Sequence, residues 1–264
     1  MSIIQSIILG IIQGLTEFVP ISSSGHLVVI RKLFGWPDQG LAFDIVLHLG
    51  TLLAVIVYFA KDWKKTIQEA ITKKNKLFWY IIIATIPAVV AGLFLEETID
   101  NIFREILWVA TFFIITGFIF LAAEKYTSYR MVEKKNLDKI NWKDSLTIGL
   151  FQIVSLLPGI SRSGITISGG MFRNLKRREA ARFSFLMATL VILGAGIMGM
   201  TQLVQQNRLN NQLPDLILGF IFSAVVGYFA IKYLMRYLKQ GKLNVFAYYL
   251  IGVGIVLLIV RFFI

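Results

Sequence analysis

The chain has 264 residues, of which 56% are hydrophobic and only 16% charged, with a mean hydropathy of +0.72; so few charges cannot cover the water-facing surface of an ordinary soluble domain. The lack of cysteine rules out disulfides, thiolate chemistry and cysteine metal sites, and having only two histidines, His26 and His48, rules out a multi-histidine metal cage. The net charge of +12 reads as basic residues held at one membrane face, not as a nucleic-acid surface.

In chain order, the first segment, residues 3–30, lacks the basic start and small-residue cleavage site of a removable signal and is expected in the mature protein. It is apolar but is interrupted from Thr16 to His26 by proline, glycine and serines, which break helices and satisfy local backbone. Apolar runs follow at residues 43–59, 77–95 and 106–123, joined by a basic connecting loop between Lys61 and Lys76. Residues 142–172 repeat the broken pattern, with the interruption from Ser155 to Gly164. Three more runs occupy residues 183–203, 216–238 and 246–263. A crossing helix needs about 20 apolar residues, so the six uninterrupted runs predict six crossings. The flanks of each broken segment are too short to cross alone and predict a helix–loop–helix that enters the bilayer and returns, which irregular backbone tolerates only beside a protected cavity.

The two halves match. From Gln13 to Gly25 and from Gln152 to Gly164 the spacing is the same: Thr16 meets Ser155, Ile21 meets Ile160, Ser22 meets Ser161, Ser24 meets Ser163 and Gly25 meets Gly164. Ala88-Val89-Val90 likewise resembles Ala224-Val225-Val226. Each half is one re-entrant pair followed by three crossings, and an odd number of crossings inverts the second half. The expected fold is therefore an all-α integral membrane protein, a single membrane domain over residues 1–264 with inverted repeats at about 1–125 and 142–264. On this topology twenty-one of the 27 Lys and Arg fall on one face. Arg31, Lys32, Arg104, Arg208 and Arg261 fall on the other, and Arg162 sits in the second broken loop. The rich face is expected to be cytoplasmic, with both termini and the first broken loop on the outer side.

Ionisable groups in apolar segments mark function by default. Gln13 and Glu17, at i and i+4, share a helix face. Glu17 and Arg162 are ionisable groups within the two broken segments, with a buried pair that merely joins the halves as the bland alternative. Ser22, Ser23, Ser24 and Gly25 precede His26, and Ser161, Ser163 and Gly164 surround Arg162. Hydroxyls and free N–H groups at a broken helix suit phosphate oxygens, and arginine grips phosphate with two hydrogen bonds. Histidine can serve as acid, base or nucleophile; Glu17 can orient it, accept a proton or help hold a cation. His48 is expected to pair with Asp44 on its own helix. Trp63, Trp79, Trp108 and Trp142 are expected in interfacial belts, the basic stretch from Arg173 to Arg178 at the cytoplasmic face, and Gly194, Gly196, Gly252 and Gly254 at close helix contacts.

Two motifs carry a family resemblance over nearly the whole chain. They are Gln13-Gly14-Leu15-Thr16-Glu17-Phe18-Val19-Pro20-Ile21-Ser22-Ser23-Ser24-Gly25-His26 and Leu157-Pro158-Gly159-Ile160-Ser161-Arg162-Ser163-Gly164-Ile165-Thr166-Ile167-Ser168-Gly169-Gly170. Both resemble the signatures of the undecaprenyl-diphosphatase, or bacitracin-resistance, family. The resemblance implies hydrolysis of undecaprenyl diphosphate to the monophosphate carrier lipid of peptidoglycan synthesis, dependence on a divalent cation (Mg²⁺ or Ca²⁺), and two inverted re-entrant repeats. By position it implies Glu17, Ser23, His26 and Arg162 as catalytic residues. Ser22, Ser24, Gly25, Ser161, Ser163 and Gly164 would bind phosphate, and Glu17 with Gln13 the metal. Gln13 stands where some members carry Glu, and an amide takes up no proton near neutral pH. The implied setting is the bacterial inner membrane with the site open to the outer face. The partners are a polyprenyl diphosphate, membrane lipids and, in a homodimer, a second copy, with no nucleic acid. The nucleophile stays open among Ser23, His26 and water. A transporter or flippase is the rival, because inverted repeats and broken helices also mark transporters.

Overall fold

A computed structural model describes residues 2–37, 41–103, 105–130, 133–205 and 213–261. Arg104 and Arg208, which enter the charge argument above, lie outside the described residues.

Each broken segment is built by local chemistry. Helix α1 (Ile3–Phe18) starts at Ser2, whose hydroxyl and the Gln5 side chain form a reciprocal capping box. It stops at Val19 because Pro20 cannot continue it. Ser22 then takes φ +69°, an uncommon value for a residue with a Cβ, and caps helix α2 (Ser23–Leu33). Helix α3 (Leu41–Tyr58) follows.

The connecting loop expected between Lys61 and Lys76 is instead largely helix α4 (Ala60–Ile71), bent 71° from α3. Its pattern is amphipathic: Thr66 is buried and Trp63 packs on the core while Lys61, Lys64 and Lys65 face outward. The high charge density that suggested a loop belongs to one face of this helix.

Helices α5 (Leu77–Phe103), which contains Pro87, and α6 (Ile106–Tyr129) complete the first half. The second half opens with α7 (Trp142–Val154), capped reciprocally by Asn141 and Asp144, and α8 (Arg162–Phe172), capped by Ser161. It ends with α9 (Arg177–Gln205), α10 (Leu213–Tyr237) and α11 (Asn244–Val260). The chain is thus an all-α integral membrane protein. Four helices are long and apolar enough to cross a bilayer, five if α3 and α4 form one bent span, among the described residues. α11, with 17 residues, is shorter, although about 17 residues is the lower end of what spans a bilayer.

The helices pack by close backbone approach. A Cβ on Gly14 of α1 would lie 2.6 Å from the Ser223 carbonyl oxygen of α10. The corresponding contact of the second broken segment is with α5: a Cβ on Gly149 of α7 would lie 2.5 Å from the Ala84 carbonyl oxygen. α6 and α11 approach each other through Gly117 against Ala247 and Gly254 against Ala110. Only half of the glycines expected at contacts are there: Gly196 meets Leu49 and Gly254 meets Ala110, whereas Gly194 and Gly252 face open space.

Ion pairs join the segments carrying the basic clusters. Glu124 at the end of α6 takes a two-pronged grip from Arg177 and accepts from the Leu243 N–H at 2.8 Å. Asp144 accepts from Lys135 at 3.0 Å and Arg173 at 2.8 Å, and Arg182 pairs with Asp62 of α4. Trp63 differs from the other three tryptophans in its protein contacts. It is drawn inward, and its indole N–H donates to Thr189 of α9 at 3.4 Å, whereas Trp79, Trp108 and Trp142 are exposed.

Candidate active site

The two broken loops touch. A Cβ on Gly25 would sit 3.1 Å from Cα of Gly159, and one on Gly164 would sit 3.1 Å from Cβ of Pro20. Gly159, at φ +102°, occupies a conformation that L residues rarely adopt, so both backbone and space demand glycine there. The contact brings the starts of α2 and α8 together, and helix starts present N–H groups and the positive end of the helix dipole.

Glu17, 7% exposed, is the hub. Its Oε1 accepts from Nη2 of Arg162 at 2.6 Å. Its Oε2 accepts from the Ser23 hydroxyl at 2.6 Å and from Nε2 of Gln13 at 3.1 Å. Gln13 reaches it because i and i+4 share a face of α1; Ser23 and Arg162 reach it as the first residues of α2 and α8. Two polar atoms beside the hub are buried with no protein partner, Nη1 of Arg162 and Oε1 of Gln13. Buried polar groups are nearly always satisfied, so these two atoms could take an acceptor and a donor or cation from a ligand.

The serines are arranged alike in both loops. Ser22 Oγ accepts from the Gly25 N–H at 3.4 Å, and Ser161 Oγ accepts from the Gly164 N–H at 3.2 Å. Ser163 is buried 3.3 Å from Ser161, whereas Ser24 is exposed, 3.5 Å from Ser22. Ser22 and Ser161 thus spend their oxygens on capping, and Ser23 is the serine whose hydroxyl meets the carboxylate.

Of the three roles open to Glu17, orienting His26 is not the one the structure shows. His26 Nδ1 lies 2.8 Å from the Ser22 carbonyl and Nε2 lies 2.8 Å from the Tyr249 hydroxyl of α11. A carbonyl only accepts, so Nδ1 carries the hydrogen and the neutral ring accepts from Tyr249 at Nε2. The ring also lies against Phe113, centroids 5.2 Å apart. Glu17 instead has His48 of α3 beside it, with Nε2 3.6 Å from Oε2. The pairing expected between His48 and Asp44 goes through the Asp44 backbone carbonyl, 2.7 Å from Nδ1, because Arg31 takes the Asp44 carboxylate in a two-pronged pair. His48 had a signal in the sequence, a titratable group inside an apolar run; Tyr249 had none.

Among the described residues no three His, Asp or Glu side chains cluster as a metal cage. The oxygens that fit a hard cation are Glu17 and the unpartnered Oε1 of Gln13, a set that needs further oxygens from a ligand.

Comparison with known proteins agrees with these motifs. A family model described as bacitracin resistance protein BacA matches residues 6–256. The chain is 40% identical over 260 residues to the undecaprenyl-diphosphatase of Desulforudis audaxviator, covering 97% of each chain. It is 43% identical over 254 residues to that of Caldicellulosiruptor bescii, covering 94% of each. It is 41% identical over 262 residues to undecaprenyl-diphosphatase 3 of Bacillus cereus, covering 99% of this chain and 98% of the relative. With a match that runs through both broken loops and nearly the full length, the chain belongs to the bacitracin resistance protein BacA family.

Proposed function

We propose that this protein hydrolyses undecaprenyl diphosphate to undecaprenyl phosphate and inorganic phosphate, regenerating the carrier lipid for peptidoglycan synthesis and so conferring bacitracin resistance. The observation that carries the reading is Arg162, anchored to Glu17 through Nη2 and left with a buried, unpartnered Nη1 at the junction of two helix starts. That arrangement suits a phosphate whose charge grows during transfer.

The chemistry assigned to the residues is as follows. Arg162 and the N–H groups of α2 and α8 hold the diphosphate. The Ser23 hydroxyl gives its proton to Glu17 Oε2, already 2.6 Å away, and its oxygen attacks the terminal phosphorus. The Ser23 Oγ–P bond forms, the anhydride P–O bond breaks, and the lipid monophosphate departs. Water then attacks the phosphoserine and releases phosphate, returning a proton to Oγ. Ser23 is favoured over His26 as nucleophile because both ring nitrogens of His26 are held, by Ser22 and Tyr249. His26 and Tyr249 wall the site. Glu17 and Gln13 Oε1 would hold a Mg²⁺ or Ca²⁺ that neutralises phosphate charge.

For the setting, we propose six crossings in two inverted repeats in the bacterial cell membrane, with termini and site on the outer side. The swapped contacts, α1 on α10 and α7 on α5, and the ion pairs among the basic segments support it.

The test is purified protein in detergent, where no membrane separates two sides. Phosphate release from a polyprenyl diphosphate is the expected result, and none would return the site to a transporter or flippase. Arg162→Ala should abolish release. Because that variant strands a buried Glu17, Arg162→Lys is its companion: it keeps the charge, loses the planar fork, and should retain little activity while staying folded. Full activity in Arg162→Ala sinks the phosphate clamp.

A further inference from the structure

A substrate with a diphosphate head and a long isoprenoid chain needs a buried polar cavity for one end and a way out to the bilayer for the other. Glu17 is buried, and several walls around it are closed by backbone or short side chains. α1 meets α10 where a Cβ on Gly14 would lie 2.6 Å from the Ser223 carbonyl oxygen, and α3 meets α10 where a Cβ on Gly50 would lie 2.5 Å from that of Phe220. α8 meets α9 where a Cβ on Gly170 would lie 2.8 Å from Cβ of Ala180, and where the Thr166 and Ser184 hydroxyls lie 2.7 Å apart. Walls of this kind cannot swing aside. α2 and α11 meet differently, through the side-chain tips of His26 and Tyr249, Nε2 to hydroxyl at 2.8 Å. The backbone of α11 approaches α6 instead, at Gly117 against Ala247 and Gly254 against Ala110.

Those two glycine contacts fix the register of α11 on α6 and set Tyr249 near the middle of α6, deep in the apolar slab. Tyr249 is nevertheless 43% exposed, although its hydroxyl bonds a residue of the site. Exposed polar groups at that depth are costly and mark function by default. Val245 and Val256 share this face of α11 and are exposed and apolar. Between them stands Gly252, where an added Cβ would meet nothing within 4 Å. Glycine weakens a helix interior, and no packing contact asks for it here. Helical side chains lean toward the N-terminus and cover the turn before their own Cα, so a side chain at position 252 would lie over Tyr249. The bare position leaves a notch above the contact of His26 and Tyr249. Its outer side is apolar, and its inner side is lined by the His26 ring, which lies nearly parallel to Tyr249 and stacks on Phe113.

We propose that this notch, between α2 and α11 and over Gly252, is a chain-binding subsite through which the isoprenoid tail of the substrate leaves the site for the bilayer; this rests on the phosphatase reading above. The phosphates stay at Arg162 and the starts of α2 and α8. The first isoprene units pass the rings of His26 and Tyr249, and the rest of the chain lies in lipid beside Val256. The subsite gives Tyr249 a role in recognising a lipid substrate, and it gives Gly252 a reason to be glycine.

Two measurements test the subsite. In the first, phosphate release in detergent is followed for a polyprenyl diphosphate and for a short, water-soluble allylic diphosphate, with wild type and Gly252→Trp. The new side chain has open space and covers the notch. KM for the polyprenyl substrate should rise about tenfold or more with kcat near the wild-type value, the pattern of a lost binding contact, while KM for the short substrate changes less than about twofold. Equal effects on both substrates, or none on either, overturn the subsite. In the second, a polyprenyl diphosphate with a photoreactive group on its first isoprene unit should mark α2 or α11 of the wild type, and marks that miss both helices overturn it. The label needs no variant, so it decides the matter even where Gly252→Trp fails to fold or the short diphosphate is not turned over. If the wild type releases no phosphate from the polyprenyl substrate, the functional reading fails; if it does and the label falls elsewhere, only the subsite fails.

Discussion

Glu17 and Arg162, 145 residues apart in the chain, meet at 2.6 Å between the starts of two short helices. On the proposed function the pair does more than join two halves. A buried ion pair is costly unless its remaining donors and acceptors are satisfied, and here Nη1 of Arg162 and Oε1 of Gln13 are not. The contact fixes the Arg162 guanidinium through Nη2 and leaves Nη1 unpaired.

Ser23 should prove indispensable. Ser23→Ala keeps the fold of α2, because the cap comes from Ser22 and not Ser23. It should lower phosphate release on the order of 10³-fold or more, as loss of a nucleophile does elsewhere. Rapid quenching with labelled diphosphate should trap an acid-stable phosphoester on the wild type. A Ser23→Ala rate within tenfold of wild type would mean that water attacks directly.

The close contact of α1 with α10 should tolerate no side chain. A Cβ on Gly14 meets backbone atoms at 2.6 and 2.8 Å, which cannot swing aside. Gly14→Leu should cost about 1–3 kcal/mol or more, read as a lower melting temperature in detergent. Gly252→Ala, which meets nothing within 4 Å, is the control and should melt like wild type or slightly higher.

The Glu124 clasp should matter to stability and not to chemistry. Glu124→Gln leaves the Arg177 guanidinium without its charged partner. The cost should fall below the ~3–5 kcal/mol typical of a fully buried broken pair, since the Arg177 side chain is 19% exposed. Melting temperature should drop while kcat per folded molecule stays at the wild-type value.

Orientation can be read by labelling, because the chain contains no cysteine of its own. In intact cells an impermeant maleimide should modify Lys32→Cys and spare Lys64→Cys until the membrane is opened. Both positions are exposed, so the contrast reports sidedness and not burial. Labelling of Lys64→Cys in intact cells would reverse the proposed topology.

Much of the fold was legible because its causes are local. Apolar runs, the Pro20 stop and the Ser22 and Ser161 caps act within a turn or two of chain, and each broken segment appears as two helices. Gln13, Glu17, the Ser22–Ser24 run and Arg162 could be singled out from type and spacing, Ser23 within that run only from the family resemblance, and Gln13, Glu17, Ser23 and Arg162 do come together. Helix α4 was hidden because charge density masks amphipathic periodicity when the buried face is narrow.

What the chain alone determined is that helices form, where they break, and which polar groups are carried into an apolar medium. Only the tertiary structure decided partners. It turned His26 toward Tyr249, brought His48 to Glu17 and drew Trp63 inward to Thr189. It also left Gly194 without a neighbour while Gly196 gained one. The reason is geometric: a side chain's partner across a helix interface depends on the crossing angle and axial offset of two helices, set by all their contacts at once and written in no single stretch of sequence.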